Sequence, residues 1–422
     1  MVDPTRSPIT PVSPIRKPGS GLIVVIAALA MVATLPGRSQ GLGLITEPLL
    51  SDVGINRVRF AEINLWTSLA GSLFAVGFGH LLDRWGAWIL GLLMVALGAV
   101  VVCFSTVSSL PGLVFALWLL RGLGQSALSA GSLSVVGIAA RDRAHSIMAS
   151  YSILLSVGFM IAFPVVGTGV RLAGWRWTWA GVGLGIVALG LVAWWILRRS
   201  VLIRLAPEGV TIPDSHDFTL PQALATPAFW VFGLSSSLYG LVASGIGLFN
   251  ESILTELGFA PGVFLGCLGV TAFTGLAGNF LGGWWLGRVP PRRVMVTAMS
   301  LLAPGLTVLP LLRSTWMVLS QAAVMGLAGG LVTVLFFSYW PQTFGRRHLG
   351  SIQGCAQLLT VVASASGPLL LARIQEASGS YTLAFRCLGL ATALLGLAAW
   401  GVRPPRAPSV HGHPLPASSG SH

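Results

Sequence analysis

Twelve apolar segments, each near the length that crosses a bilayer, succeed one another between residues 22 and 402. Their approximate limits are 22–46, 60–82, 87–107, 112–136, 145–168, 178–197, 228–250, 261–284, 294–311, 316–338, 349–370 and 382–402. A hydrocarbon core takes about 20 apolar residues of helix to cross. Charged residues make up only 9% of the chain, against about 25% in a soluble domain. A chain so poor in charge cannot clothe a water-facing surface, so its solvent is mostly lipid.

The net charge of +13 would suit a nucleic-acid binder, but the basic residues stand singly between apolar runs and form no continuous patch. Cys103, Cys267, Cys355 and Cys387 lie inside apolar runs without neighbours at metal-ligand spacing, and read as core residues. No metal site and no cofactor is expected. No paired His/Asp/Glu cluster lies at one depth, which argues against an enzyme.

The domain plan follows from composition. Residues 1–21 are Pro/Ser-rich and read as a disordered cytoplasmic leader. Residues 22–197 form one bundle of six spans and 228–402 another. The Pro-rich, charged stretch 198–227 is the cytoplasmic linker, and 403–422 a disordered cytoplasmic tail. Lys and Arg favour cytoplasmic loops. With the N-terminus inside, the inner segments collect Arg84, Arg141, Arg143, Arg198, Arg199, Arg204, Arg288, Arg292, Arg293, Arg346 and Arg347 among others. The outer ones hold only Arg57, Arg59, Arg171, Arg176, Arg313 and Arg373. Both termini are therefore expected in the cytoplasm, with the chain in the inner (plasma) membrane of the cell.

The two bundles share one register. Gly41 falls on Gly245, an offset of 204 residues that also carries Glu47 to Glu251, Asp52 to Glu256, Gly54 to Gly258, Gly71 to Gly275, Arg84 to Arg288, Gly122 to Gly326 and Pro164 to Pro368. The matches of acid to acid and Arg to Arg predict two parallel six-helix repeats.

Gly79, Asp83, Arg84 and Gly86 between the second and third spans resemble the signature of the major facilitator superfamily. Arg121-Gly122-Leu123-Gly124-Gln125 resembles its fourth-helix motif, and Gly158 to Gly167 with Pro164 its fifth. The resemblance covers residues 22–402 and implies an all-α integral membrane protein of twelve transmembrane helices. It implies a secondary transporter that works by alternating access. A narrower resemblance, to the monocarboxylate-porter-like branch, rests on the Arg-bearing first helix, on Ala228-Phe229-Trp230 and on Ser366-Gly367-Pro368. Where the animal carriers of that branch have an acidic signature, this chain reads Pro36-Gly37-Arg38.

Arg121 falls near the midplane, where an arginine facing lipid costs at least about 2.5 kcal/mol. It either binds an anion in a cavity, with Gln125 one turn along, or bonds carbonyls of neighbouring helices. Pro36-Gly37 should break the first helix, setting Arg38 and Gln40 beside a loosened backbone. Arg38 then either meets a ligand or snorkels to the outer headgroups. Their equivalents are Val242 and Met325, so both cations belong to the first repeat alone. No Asp or Glu lies near the middle of a span, which favours an anionic substrate and leaves a co-transported proton without an obvious carrier.

Tyr239 and Gln357, on helices that flank the cavity in the resembled family, complete the expected substrate site. Asn64, Thr67, Tyr151, Asn250, Asn279, Gln321, Tyr339 and Gln353 are polar groups inside spans that interhelical bonding would explain. Trp175, Trp177, Trp179 and Trp316 read as interface anchors. Gly79, Asp83, Arg84, Gly86 and Arg288 are expected to latch the inner face. The expected partners are a small carboxylate-like metabolite, a proton and the bilayer, with the protein a monomer. The alternative is an efflux carrier of drug-like compounds, with Trp66, Phe249 and Phe273 in an aromatic cavity.

Overall fold

The computed structural model describes residues 20–139, 144–199, 218–260, 262–345, 348–403 and 405, and statements below concern those residues. The leader up to residue 19, most of the linker, and the tail beyond 405 lie outside them, as do Arg141, Arg143, Arg204, Arg346 and Arg347.

Twelve helical passes are seen, at the twelve predicted places. Helix α1 begins as Ser20–Val32 and resumes after a break as Ser39–Gly43 and Thr46–Val53. Helix α2 comprises Arg57–Ser72 and Phe74–Trp85; α3 is Ile89–Ser105. Helix α4 runs as Leu110–Leu120, a π-wound Arg121–Leu128 and Ser129–Ala139. Then come α5 (Ala144–Ala173), α6 (Trp175–Arg199), α7 (Pro227–Glu256), α8 (Val263–Leu286), α9 (Pro291–Val308), α10 (Thr315–Phe344), α11 (Leu349–Ser378) and α12 (Thr382–Gly401). Nine of these helices, among the described residues, are long and apolar enough to cross a membrane, those of α1 and α3 are shorter, and α2 is split at Leu73. The protein is a multi-pass membrane protein.

The repeat is visible in the backbone. Ile45 (φ −124°, ψ 1°) and Phe249 (φ −115°, ψ 21°) leave helical geometry at equivalent positions of α1 and α7. Gly54 and Gly258 both take left-handed φ where these helices end. Packing repeats too: α1 lies on α5, α2 on α4 and α3 on α6, as α7 lies on α11, α8 on α10 and α9 on α12. Even the end caps correspond. Asp52 accepts hydrogen bonds from Trp175 Nε1 (2.8 Å) and Arg176 Nε (3.2 Å) at the start of α6. Its equivalent Glu256 accepts from Ser380 Oγ (2.7 Å) and the Tyr381 amide (3.1 Å) at the start of α12.

The two halves join through α1–α7, α2–α11 and α5–α8. These junctions lie at the end that carries the Glu62–Arg373 ion pair (2.6 Å). We call it the rim end, and the opposite one, with the turns at Gly86 and Gly287, the linker end.

Three expectations are corrected. Cys103 and Cys387 are exposed on α3 and α12, since an apolar run on an outer helix also supplies its lipid face. Trp175 and Trp179 are buried, so only Trp177 and Trp316 have the exposure of interface anchors. Phe249 is 1% exposed and cannot line an aromatic cavity, because the kink turns it into the core; Trp66 and Phe273 are exposed.

Candidate substrate site

The break in α1 positions the site. Leu35–Gly37 forms a single 3₁₀ turn with Pro36 inside it, and Arg38 is extended (φ −94°, ψ 154°). Proline denies the helix a backbone donor, so the chain leaves α geometry there. The turn lies flush on α4: a Cβ at Gly37 would run into the Leu120 carbonyl and sit 3.3 Å from the Gly124 Cα. At this contact α4 widens into its π-wound stretch, a rare form concentrated at functional sites.

Arg121 begins that stretch and is 1% exposed. Its Nη1 donates to the Gly37 carbonyl (3.0 Å) and to Gln125 Oε1 (2.6 Å). Its Nη2 donates to Ser39 Oγ (3.3 Å) and to Asn64 Oδ1. The guanidinium thus ties α4 to the broken turn of α1 and to α2. Its Nε and the Asn64 Nδ2 have no partner among the described residues. In this conformation the buried guanidinium bonds the Gly37 carbonyl and Ser39, the kind of contact expected of a helix-joining arginine. Gln125 is exposed, and its Oε1 accepts the hydrogen bond from Arg121.

Arg38 is half-buried and turns away from the rim, so it does not snorkel to the headgroups there. Its Nε donates to Thr34 Oγ1 (2.6 Å), and its Nη2 to Ser129 Oγ (3.2 Å) and Met31 Sδ (2.9 Å). The cation stands 5.4 Å from the Phe159 ring centroid. Beside it Tyr151 Oη lies 2.7 Å from Ser132 Oγ, which donates to the Ala27 carbonyl. Among the described residues no carboxylate pairs with Arg38 or Arg121; every ion pair seen involves Arg57, Arg59, Arg176 or Arg373.

Gln40 and Tyr239 meet at a different place. Both line a cavity of about 100 Å³ within the C-terminal half, with Asn250, Thr271 and Gln321 as its other polar walls. Gln357 is exposed on α11 and is not among its walls. The sequence-predicted set therefore splits into an arginine face formed by Arg38, Arg121 and Gln125, a cavity walled by Gln40 and Tyr239, and an isolated Gln357. Missed in the sequence were Thr34, Ser39, Ser129 and Phe159. Thr34 stood one helical turn before Arg38, and Ser129 one turn after Gln125, spacings that could have drawn notice.

At the linker end, Gly79 and Asp83 fall within the Phe74–Trp85 helix, but the Asp83 side chain lies outside the described residues. Gly86 has φ 91° and ends that helix in left-handed geometry. Arg84 is exposed. Arg288 is exposed, donates to the Trp284 carbonyl (3.0 Å) and covers the Trp284 ring at 4.3 Å.

Residues 232–418 match the family model of the Major Facilitator Superfamily. The chain has the Major Facilitator Superfamily fold. Two solved structures of a bacterial homologue of the human lysosomal transporter Spinster are similar across the whole molecule. The inward-facing, occupied one superposes with TM-score 0.67 at 15% identity, covering 91% of this chain and 96% of that one. The inward-facing, unoccupied one gives 0.64 at 16% identity, with the same coverage. No curated protein sequence matches this chain. The family match lies in the C-terminal half, and the structural likeness extends the same fold over both halves.

Proposed function

We propose that this protein is a secondary transporter of a small anionic metabolite, with Arg38 as the group that meets the anion. One observation carries the reading. Arg38 is a half-buried guanidinium at a broken helix, bonded only to neutral acceptors. A cation kept within a membrane protein without a carboxylate partner marks a site for a negative ligand. Arg121 stands behind it and fixes the turn from which Arg38 projects, so it acts as a positioning residue. Gln125 and Gln357, both exposed, are secondary contacts in this reading.

The junctions at the rim end make this an inward-facing state if that end faces outward, as the arginine bias predicts. Both termini are then cytoplasmic, in the plasma membrane. Asp83, Arg84 and Arg288 are assigned to the latch that closes the linker end in the opposite state. A proton accompanies the anion in the simplest scheme, because no membrane-embedded carboxylate is available to carry it.

Exchange of labelled mono- and dicarboxylates into proteoliposomes, with and without an imposed pH gradient, tests the reading. It fails if no acid exchanges. Export of lipophilic compounds instead would support the efflux alternative, which the neutral, largely apolar cavity of the C-terminal half favours.

A further inference from the structure

The cavity in the C-terminal half occupies the place that the Arg121 cluster fills in the N-terminal half. Carried across the repeat, Arg121 becomes Met325, Asn64 becomes Leu268 and Ser39 becomes Ala243. All three line the cavity. Gln125 becomes Gly329, and the Tyr239 hydroxyl lies against that glycine where a Cβ would sit. The guanidinium hub of one half is thus replaced by open space in the other.

That space is not a simple packing gap. Asn250 is nine-tenths buried, and no protein atom among the described residues bonds its carboxamide. The Gln40 carboxamide and the Tyr239 hydroxyl also line the space with no partner among those residues. Gln321 donates through Nε2 to the Gly305 carbonyl (3.0 Å), which leaves its carbonyl oxygen available. Buried polar groups are normally satisfied, and each one left open costs about 1–3 kcal/mol. Asn250, which is buried, and Gln40 and Tyr239, which are half-buried, turn open polar groups into a single cavity, an arrangement suited to an occupant. Met325, Leu268, Cys267 and Leu254 supply an apolar floor, and no wall carries a formal charge. At about 100 Å³ the space is somewhat smaller than the roughly 150 Å³ that admits benzene.

We infer that this cavity binds a neutral group smaller than a benzene ring, with hydrogen-bonding edges, such as a primary amide. Asn250, Tyr239 and Gln40 make the polar contacts, and Met325 and Leu268 receive the apolar face. Every wall but Gln40 belongs to α7, α8 and α10 or to the end of α9, so the site is built by the C-terminal half and closed by α1. Gln40 is two residues from Arg38, so the group is either the uncharged end of the transported anion or a separate molecule. The first alternative rests on the anion reading above; the second does not.

Propionamide, smaller than benzene, serves as a probe that carries no charge. Its binding to the purified full-length protein is read by the rise in melting temperature. The expected result is a saturable rise in the wild type and in Arg38→Ala. In Met325→Phe, which fills the space, and in Asn250→Leu, which keeps its volume, the apparent Kd should weaken at least fivefold. Loss of stabilisation in Arg38→Ala alone would overturn the assignment to the C-terminal half. So would no saturable rise in the wild type, or an unchanged Kd in both cavity variants. If Met325→Phe fails to fold, Asn250→Leu decides. An anion whose transport needs Arg38 but whose Kd is unaffected by propionamide assigns the cavity to a separate molecule.

Discussion

Gly43 and Gly247 occupy equivalent positions of the two repeats, and they meet each other backbone to backbone across the junction between the halves. A Cβ on Gly43 would collide with the Gly247 carbonyl, while one on Gly247 would press on the Gln40 side chain at 3.1 Å. One helical turn away Ser39 Oγ lies 2.9 Å from Ser244 Oγ. Contact between equivalent residues places the pseudo-twofold axis of the molecule here, at the closed rim. The rim thus shuts by apposing two copies of one surface.

Gly43→Ala should therefore hinder closure at the rim, whereas Gly269→Ala, where an added Cβ on α8 meets open space, should not. Overpacking a close contact costs about 1–3 kcal/mol, enough to move a two-state balance tenfold or more. Spin-label distances between α1 and α7 in the two variants measure that balance. An unchanged distribution in Gly43→Ala would show that the glycine contact does not govern the gate.

The Arg121 hub should respond as a unit. Arg121→Met leaves Gln125, Asn64 and the Gly37 carbonyl without their donor and should cost about 3 kcal/mol. Adding Asn64→Leu reproduces the Met325 and Leu268 pair of the other repeat and should restore a large part of that loss. Chemical unfolding of the single and double variants gives the coupling energy. Strict additivity would mean that the two side chains do not act together.

The rim caps should differ in their salt response. Asp52 holds Arg176 in a half-exposed ion pair, of the kind worth at most about 1 kcal/mol and weakened by salt. Its equivalent Glu256 holds a hydroxyl and an amide. The effect of Asp52→Asn on melting temperature should shrink as salt rises from low to molar concentration, more than that of Glu256→Gln. Equal salt dependence in the two would go against the contacts assigned.

Glu62 and Arg373 form the ion pair that spans the halves at 2.6 Å, with Glu62 also reached by Arg59 at 3.3 Å. Glu62→Arg should favour the rim-open state about two- to fivefold, as expected for a partly exposed pair. Arg373→Glu added to it should restore closure. Cysteine accessibility at the rim reads the population, and failure of the reversal would deny the pair a role in the gate.

Much of this was legible from periodicity. Apolar run length gave twelve passes, because lipid imposes one length on every span. A single offset gave the repeat, because equivalent helix ends keep the same caps, as Asp52 and Glu256 show. The break at Pro36-Gly37 followed from the missing amide donor of proline. Burial direction was harder to read. Cys103 and Cys387 sit in runs as apolar as any core helix, yet face outward, since lipid and core select the same residues. The cavity was hidden for another reason. It is defined by what Met325, Leu268 and Ala243 lack, and empty volume has no letter in a sequence. The pairing of Arg121 with Asn64 was likewise out of reach, because it depends on how closely α2 approaches α4.

The central claim is that Arg38 selects for negative charge. The most direct test compares binding of small carboxylates and of their uncharged amides to the wild type and to Arg38→Gln, which keeps hydrogen-bonding capacity but not charge. The wild type should prefer an acid over its amide by at least tenfold, and Arg38→Gln should bind the two equally while remaining folded. A preference for the acid that survives intact in Arg38→Gln would contradict the account.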